Sequence, residues 1–253
     1  MGSGKHLRFK KLKYQIDQFE QKLNKEQRET DRLIRDKTLT IVSGKAGSGK
    51  TLVACFTALK KFAYRKIDKI VITRPTVSTE DNGFLPGDIN EKLDPWMAPI
   101  YSCIETILKP INPHNGGNTN ELFEQLMSEN VIEIVPLTYM RGRTFTNSSV
   151  IVDECQNLTM EQSMMCISRI GVYSNMVMCG DIAQVDLRYK KDSGMVFLSN
   201  LDLRSEIGSI ELKENHRHVV VDQILEEYEK FKKRTEDTDG KVLYMNTKDS
   251  KAI

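Results

Sequence analysis

Apolar residues along this chain fall into two kinds of stretch: short unbroken runs rich in Val and Ile, and longer segments with helical spacing. The short runs are Leu39-Thr40-Ile41-Val42, Lys69-Ile70-Val71-Ile72-Thr73, Val131-Ile132-Glu133-Ile134-Val135, Ser149-Val150-Ile151-Val152, Met176-Val177-Met178-Cys179 and Ser209-Ile210-Glu211-Leu212. Their length and bounded apolar character predict buried strands. Helical patterns stand between several of them, over about 50–62, around Trp96 and Ile100, and over about 219–233 at the end. Strands buried on both faces and alternating with helices predict an α/β fold, a mainly parallel sheet with helices on both sides. Ahead of the first strand, Leu12, Ile16, Phe19 and Leu23 recur at 4-3-4 spacing among Lys, Gln and Glu, which predicts an amphipathic helix. Its apolar face either packs on the main domain or meets a neighbouring subunit, and it is too short for a coiled coil. A second helix is predicted over 25–35.

Breaks in the pattern set the boundaries. Pro75 ends regular structure after the second strand, and 80–88, with Gly83, Pro86 and Gly87, reads as a structured loop. The stretch 109–120 is rich in Pro, Asn and Gly and predicts a mobile insertion. The expected organisation is an amphipathic appendage over 1–23, one α/β domain over 24–235, and a polar tail over 236–253. No internal repeat is present. The string Gly2-Ser3-Gly4-Lys5 reads as a flexible terminus, and His6 occupies the position where a myristoylation pattern needs Ser or Thr.

Composition narrows the function classes. A chain of 253 residues can bury one substantial core. The net charge of +2 does not by itself announce a nucleic-acid partner. No apolar run reaches membrane-span length and no secretory signal is recognised, so no membrane partner is expected. The five cysteines are scattered without a C-x-x-C pair, which predicts reduced, buried thiols in a cytoplasmic protein. Neither they nor the four histidines have zinc-ligand spacing.

Candidate chemistry starts at Gly44-Lys45-Ala46-Gly47-Ser48-Gly49-Lys50-Thr51, which fills every fixed position of a phosphate-binding loop between a strand and a helix. Glycines let the backbone fold tightly and aim its N–H groups at phosphate oxygens, while the helix N-terminus adds partial positive charge. Lys50 is expected to reach the β- and γ-phosphates and Thr51 to ligate Mg²⁺. Val150-Ile151-Val152-Asp153-Glu154 then closes a strand with two carboxylates. Asp153 is placed to hold Mg²⁺, directly or through water, and Glu154 to orient and activate the attacking water. A third strand-to-loop transition, Met178-Cys179-Gly180-Asp181-Ile182-Ala183-Gln184, puts Gln184 where it could bond the γ-phosphate or the attacking water. The plain alternatives are a Gly-rich turn, a chance acidic pair and an ordinary Asp-held turn.

With these strings in view, the chain resembles the PhoH-like family of ATPases, whose nucleotide-binding core is similar to the first domain of superfamily 1 helicases. The resemblance covers about 24–228. It rests on the phosphate-binding loop, Thr73-Arg74-Pro75, Gly83-Phe84-Leu85-Pro86-Gly87-Asp88 and Met140-Arg141-Gly142-Arg143-Thr144, and continues through Asp153-Glu154-Cys155-Gln156-Asn157, Gly180-Asp181-Ile182-Ala183-Gln184 and Asn215-His216-Arg217-His218. Two features depart from it: Cys155 stands where a small Ala is usual, and 109–120 is more elaborate.

The resemblance implies a RecA-like P-loop NTPase using ATP and Mg²⁺, with hydrolysis coupled to single-stranded nucleic acid, RNA favoured over DNA. Asn24-Lys25-Glu26-Gln27 looks like the helicase Q-motif, in which Gln27 would read adenine; its alternative is a solvated helix residue. Arg74 falls where superfamily 1 cores touch single strands. Arg141 and Arg143 flank Gly142 and could present two guanidinium groups to phosphates. For each arginine, a surface position or a partner for a buried carboxylate is the alternative. Phe84 and Trp96 could stack on bases, or Trp96 could belong to the core. Arg217 is the candidate arginine finger. Since helicases place ATP between two such domains, the resemblance also implies a ring, expected to be a hexamer, in which each subunit caps its neighbour's nucleotide. The competing classes are a nucleotide kinase-type phosphotransferase and a non-catalytic ATP switch acting on a protein partner.

Overall fold

A computed structural model of the chain describes residues 2–75, 89–109, 119–187, 189–201, 205–214 and 219–236. The chain divides into two units, Met1–Asn215 and His216–Ile253. The first carries helices α1 (Gly2–Glu20), α2 (Lys25–Asp36), α3 (Lys50–Ala63), α4 (Ile89–Leu108), α5 (Thr119–Ser128), α6 (Met160–Ile167) and α7 (Gly194–Ser199). Its strands are β1 (Leu39–Gly44), β2 (Lys69–Thr73), β3 (Ile132–Ile134), β4 (Ser148–Val152), β5 (Asn175–Gly180) and β6 (Ile207–Leu212). The second unit contains α8 (Val219–Glu236), along which Val220, Ile224, Tyr228 and Phe231 share a face.

The six strands form one sheet in the order β3-β2-β4-β5-β1-β6, and every pairing is parallel. This is the α/β architecture that the alternating apolar runs predict. Strand periodicity sorts the side chains onto two faces. Val42, Ile70, Ile72, Ile151, Val177 and Cys179 pack in one core with Leu12 and Ile16 of α1, Ile34 of α2, Phe56 of α3, Ile100 of α4 and Leu126 of α5. Their strand neighbours Leu39, Ile41, Val71, Val150, Val152, Met176 and Met178 pack in the other core with Cys166 of α6 and Met195 of α7.

Parallel pairing also places all six strand C-termini at one edge, where ligands of open α/β sheets bind. Two features hold α2 in place, the first of them at that edge. Glu26 accepts the backbone N–H groups of Lys213 and Glu214 at 2.9 and 3.1 Å, just past β6. Farther along, buried Asp31 accepts Thr57 Oγ1 at 3.0 Å and Lys60 Nζ at 3.1 Å, both on α3. Lys60 in turn holds Glu20 of α1 at 2.7 Å. A buried carboxylate with several charged and hydroxyl donors is tolerable where an unpaired one is not, so this chain of contacts fixes three helices together.

Several local expectations differ from the structure. The string Gly2-Ser3-Gly4-Lys5 is the first turn of α1, not a loose terminus; extending a helix already anchored by Leu12 and Ile16 adds a bond per residue without a new nucleus. That helix stops at Glu20, and Leu23 reaches the core from the turn beyond it, 4% exposed. Thr119, at the end of the Pro/Asn/Gly stretch, already begins α5. Residues 110–118, the 80–88 loop including Phe84, the side chain of Trp96, Arg217 and the tail beyond 236 lie outside the described residues.

Candidate functional site

The loop between β1 and α3 owes its shape to its glycines. Gly47 and Gly49 have φ of 88° and 87°, in the left-handed region that favours glycine. A Cβ on Gly44 would stand 2.5 Å from the Leu212 carbonyl oxygen of β6, so nothing larger fits where β1 turns out of the sheet. Gly49 caps α3 without a side-chain hydrogen bond, which leaves the first-turn donors of α3 directed into the loop. Lys50 folds across it and donates to the carbonyls of Gly44 at 2.7 Å and Lys45 at 3.0 Å. Ser48 is 2% exposed and its Oγ has no hydrogen-bond partner among the described residues. A turn walled by backbone donors, an ammonium and an orphan hydroxyl has the chemistry of an anion cradle.

The carboxylate pair lies directly beside it. Thr51 Oγ1 donates to Asp153 Oδ1 at 2.7 Å, joining the first turn of α3 to the end of β4. Asp153 is 4% exposed. Burial pushes its carboxyl above the usual range; the Thr51 hydrogen bond and the Arg74 charge pull down, and the Glu154 charge pushes up. Glu154 sits at φ 52°, left-handed for a non-glycine residue, a conformation that turns its side chain out of the strand direction. Both its oxygens accept: Oε1 from Arg74 Nη2 at 3.1 Å and Oε2 from Gln156 Nε2 at 2.6 Å. Arg74 Nε is also 4.0 Å from Asp153 Oδ2.

Gln156 has no role that the sequence pattern predicts, yet it ties two of the motif-bearing loops together. It is 1% exposed, and its Oε1 accepts the backbone N–H of Asp181 at 3.1 Å. Gly180 makes room for it: a Cβ there would stand 2.6 Å from Gln156 Oε1 and 2.5 Å from Met195 Sδ. The available signal was a glutamine two residues after the acidic pair together with a glycine closing the next strand. Gln184 is exposed, in the 3₁₀ turn Ile182–Gln184, and lines a pocket of about 220 Å³ with Arg74, Pro75, Glu154, Gln156 and Asn157.

The other candidate residues are not all gathered at this site. Gln27 is buried, and its Oε1 accepts the Asn24 N–H at 3.2 Å in the capping box that starts α2. Arg74 has its guanidinium on the acidic pair, with its side chain 17% exposed. Arg141 is exposed after the 3₁₀ turn Leu137–Met140. Arg143 is drawn back to Glu133 at 2.8 Å and lies over the Phe145 ring at 4.8 Å. Glu133 loses solvation there, but hydrogen bonds from Lys69 and Arg143 outweigh this and hold its carboxyl below the usual range. Among the described residues, no group of three or more His, Cys, Asp and Glu could hold a metal, and no helix is long and apolar enough to cross a membrane.

A parallel sheet whose first strand runs through this loop into a helix, with an acidic strand end against the loop's threonine, defines a RecA-like P-loop NTPase. The chain belongs to the PhoH family: the family described as PhoH-like protein matches residues 21–229. A PhoH-like protein of Synechocystis is 37% identical over 209 residues, covering 81% of this chain and 60% of that protein. One of Bacillus subtilis is 38% identical over 211 residues, covering 81% and 62%. The chain thus spans about three fifths of the length of these curated relatives. Among solved structures, the Pif1 helicase from Candida albicans aligns at a TM-score of 0.40 and 15% identity over 83% of this chain and 43% of that one.

The raised carboxyl of Asp153 carries a stability consequence. Its folded pKa lies above the unfolded value, so ionisation at neutral pH works against folding; that penalty is absent below the unfolded pKa and complete above the folded one. Asp153→Asn removes it and retains an acceptor for Thr51. In the nucleotide-free protein the substitution is expected to raise Tm by about 2–4 °C near neutral pH, with the gain shrinking as pH falls through the acid range. A Tm lowered at neutral pH would show that the ionised carboxylate stabilises the fold.

Proposed function

We propose that this chain binds ATP with Mg²⁺ in the Gly44–Thr51 loop and hydrolyses it. The observation that carries this reading is the contact between Thr51 and Asp153, with Glu154 one residue farther on. The residues present suit the metal. Mg²⁺ favours oxygen ligands and is held by one or two carboxylates with substrate phosphates and water, and Thr51 and Asp153 would hold it here. When bound, it neutralises charge on the phosphate oxygens.

The chain's own groups supply the remainder. Backbone N–H groups and Ser48 in the loop bind the phosphates, and Lys50 leaves its carbonyl partners for the β- and γ-oxygens. Glu154, turned outward by its left-handed backbone, takes a proton from the attacking water as the water oxygen bonds to the γ-phosphorus and the bond to ADP breaks. Gln184, on the rim of the same pocket, hydrogen-bonds the γ-phosphate or that water. Gln27, held by its capping box at this sheet edge, faces the adenine.

Turnover is coupled to single-stranded nucleic acid, RNA favoured over DNA, with Arg141 an exposed cation open to a phosphate. The working form is a cytoplasmic ring, a hexamer, in which a neighbouring copy closes the nucleotide site and Arg217 acts across the boundary.

Lys50→Ala is expected to abolish ATP binding or turnover with the fold retained, because a loop lysine contributes little to the core. Glu154→Gln should retain ATP while turnover falls by about 10²–10⁴-fold; phosphate release together with filter retention of labelled ATP measures both, and wild-type turnover in either variant would remove that residue from its role. For Arg141→Ala, affinity for a single-stranded oligonucleotide should fall and its logarithmic salt slope flatten by about one unit; unchanged binding at matched salt would place the polymer elsewhere. Sedimentation with Mg²⁺ and a non-hydrolysable ATP analogue should give a hexamer, and a monomer at micromolar concentration would contradict the ring.

A further inference from the structure

Glu154 is gripped on both carboxylate oxygens, and the two grips differ in kind. Gln156 belongs to the core: 1% exposed, it donates to Oε2 at 2.6 Å while the Asp181 N–H fixes its other end at 3.1 Å. Moving it would strand buried polar groups. Arg74, 17% exposed, donates to Oε1 at 3.1 Å; Glu154 is 36% exposed, and Arg74 Nε also stands 4.0 Å from Asp153 Oδ2. The part-exposed side of Glu154 makes this grip weaker than one buried on both sides, and a phosphate that takes Arg74 keeps its charge paired. Arg74 also lines the pocket of about 220 Å³ that opens beside Gln184.

We propose that Arg74 is a releasable restraint on Glu154: a backbone phosphate of single-stranded nucleic acid takes its guanidinium, and the freed Oε1 orients the attacking water. This rests on the reading of Glu154 as the water-activating residue. The exchange is chemically direct, because a guanidinium presents the same planar fork to a carboxylate and to a phosphate. While Arg74 occupies Oε1, a water must compete with a cation for the oxygen that should receive its proton. Once a phosphate holds Arg74, Gln156 still fixes Oε2, so the carboxylate keeps its orientation and exposes one oxygen.

The path from polymer to active site is short. Arg74 follows β2, β2 pairs with β4 in the sheet, and Thr73 lies in register with Val152, two residues before Glu154. Asp153 anchors the same junction, donating its N–H to the Thr73 carbonyl at 2.9 Å. Displacing Arg74 therefore changes the surroundings of Glu154 without moving the strands. Arg74 is on this account a positioning residue, acting through Glu154 and not on the nucleotide.

The test is steady-state ATP hydrolysis by the full chain with Mg²⁺, with and without a saturating unstructured oligonucleotide, for wild type, Arg74→Gln and Arg74→Lys. Thermal unfolding serves as the fold control. Wild type should be stimulated by the oligonucleotide. Arg74→Gln should turn over at least about threefold faster than wild type without it, with the stimulation ratio falling to near one. Arg74→Lys, which keeps the charge and loses the fork, should shift both quantities in the same direction by less, and it alone decides the matter if Arg74→Gln does not fold. A lowered basal rate with the stimulation ratio preserved would overturn the proposal and assign Arg74 to the nucleotide. Wild-type turnover indifferent to the oligonucleotide would also overturn it. Absence of turnover by wild type in every condition would bring down the hydrolytic reading itself, and the restraint with it.

Discussion

A carboxylate buried at the end of β4 is the constraint around which the sheet edge is organised. Asp153 cannot lie at 4% exposure without partners, and it has drawn them from two different elements. Thr51 donates from the first turn of α3, and the Arg74 guanidinium, after the end of β2, brings positive charge within 4.0 Å. Satisfying one charge therefore joins the phosphate-binding loop to the acidic strand end and gathers Arg74 beside them, while sheet pairing holds the strands. Burial still pushes the Asp153 carboxyl above its usual range, which marks a group whose partners here do not fully replace water. A cation supplied with a ligand would complete them.

Strand direction explains why so many polar groups meet there. Because every pairing is parallel, each strand delivers its following loop to the same edge. Close approach then depends on residues without side chains. Gly44 lets β1 leave the sheet against the Leu212 carbonyl, and Gly180 leaves the volume that Gln156 fills. At the β6 end of the same edge, Glu26 Oε2 accepts the two backbone N–H groups just past β6 and orders the start of α2.

Much of this was legible in the amino-acid sequence, for physical reasons that differ by residue. Buried strands announce themselves because both faces need apolar side chains, so the runs at 39–42, 69–73 and 149–152 stand out, and their alternation with helices yields the α/β class. The phosphate-binding loop is legible because its backbone needs glycine at fixed offsets. What escaped notice depends on contacts across the sheet. No local pattern distinguishes an Arg74 aimed at solvent from one folded onto Glu154, 80 positions away. Gln156 is inconspicuous for the same reason, since its importance comes from Asp181 and Gly180 on another strand. Gln27 illustrates a third case: a glutamine three residues after an asparagine is also a helix cap, and the structure uses its carbonyl oxygen that way.

The account as a whole depends on Thr51 and Asp153 forming a joint metal position next to the phosphate loop. A crystal structure of the chain with Mg²⁺ and a non-hydrolysable ATP analogue tests this most directly. The expected result places the triphosphate within the Gly44–Thr51 turn and the metal about 2.1 Å from Thr51 Oγ1, with Asp153 bound to it directly or through one water. A metal or triphosphate seated away from that threonine, with the Thr51–Asp153 hydrogen bond intact, would contradict it.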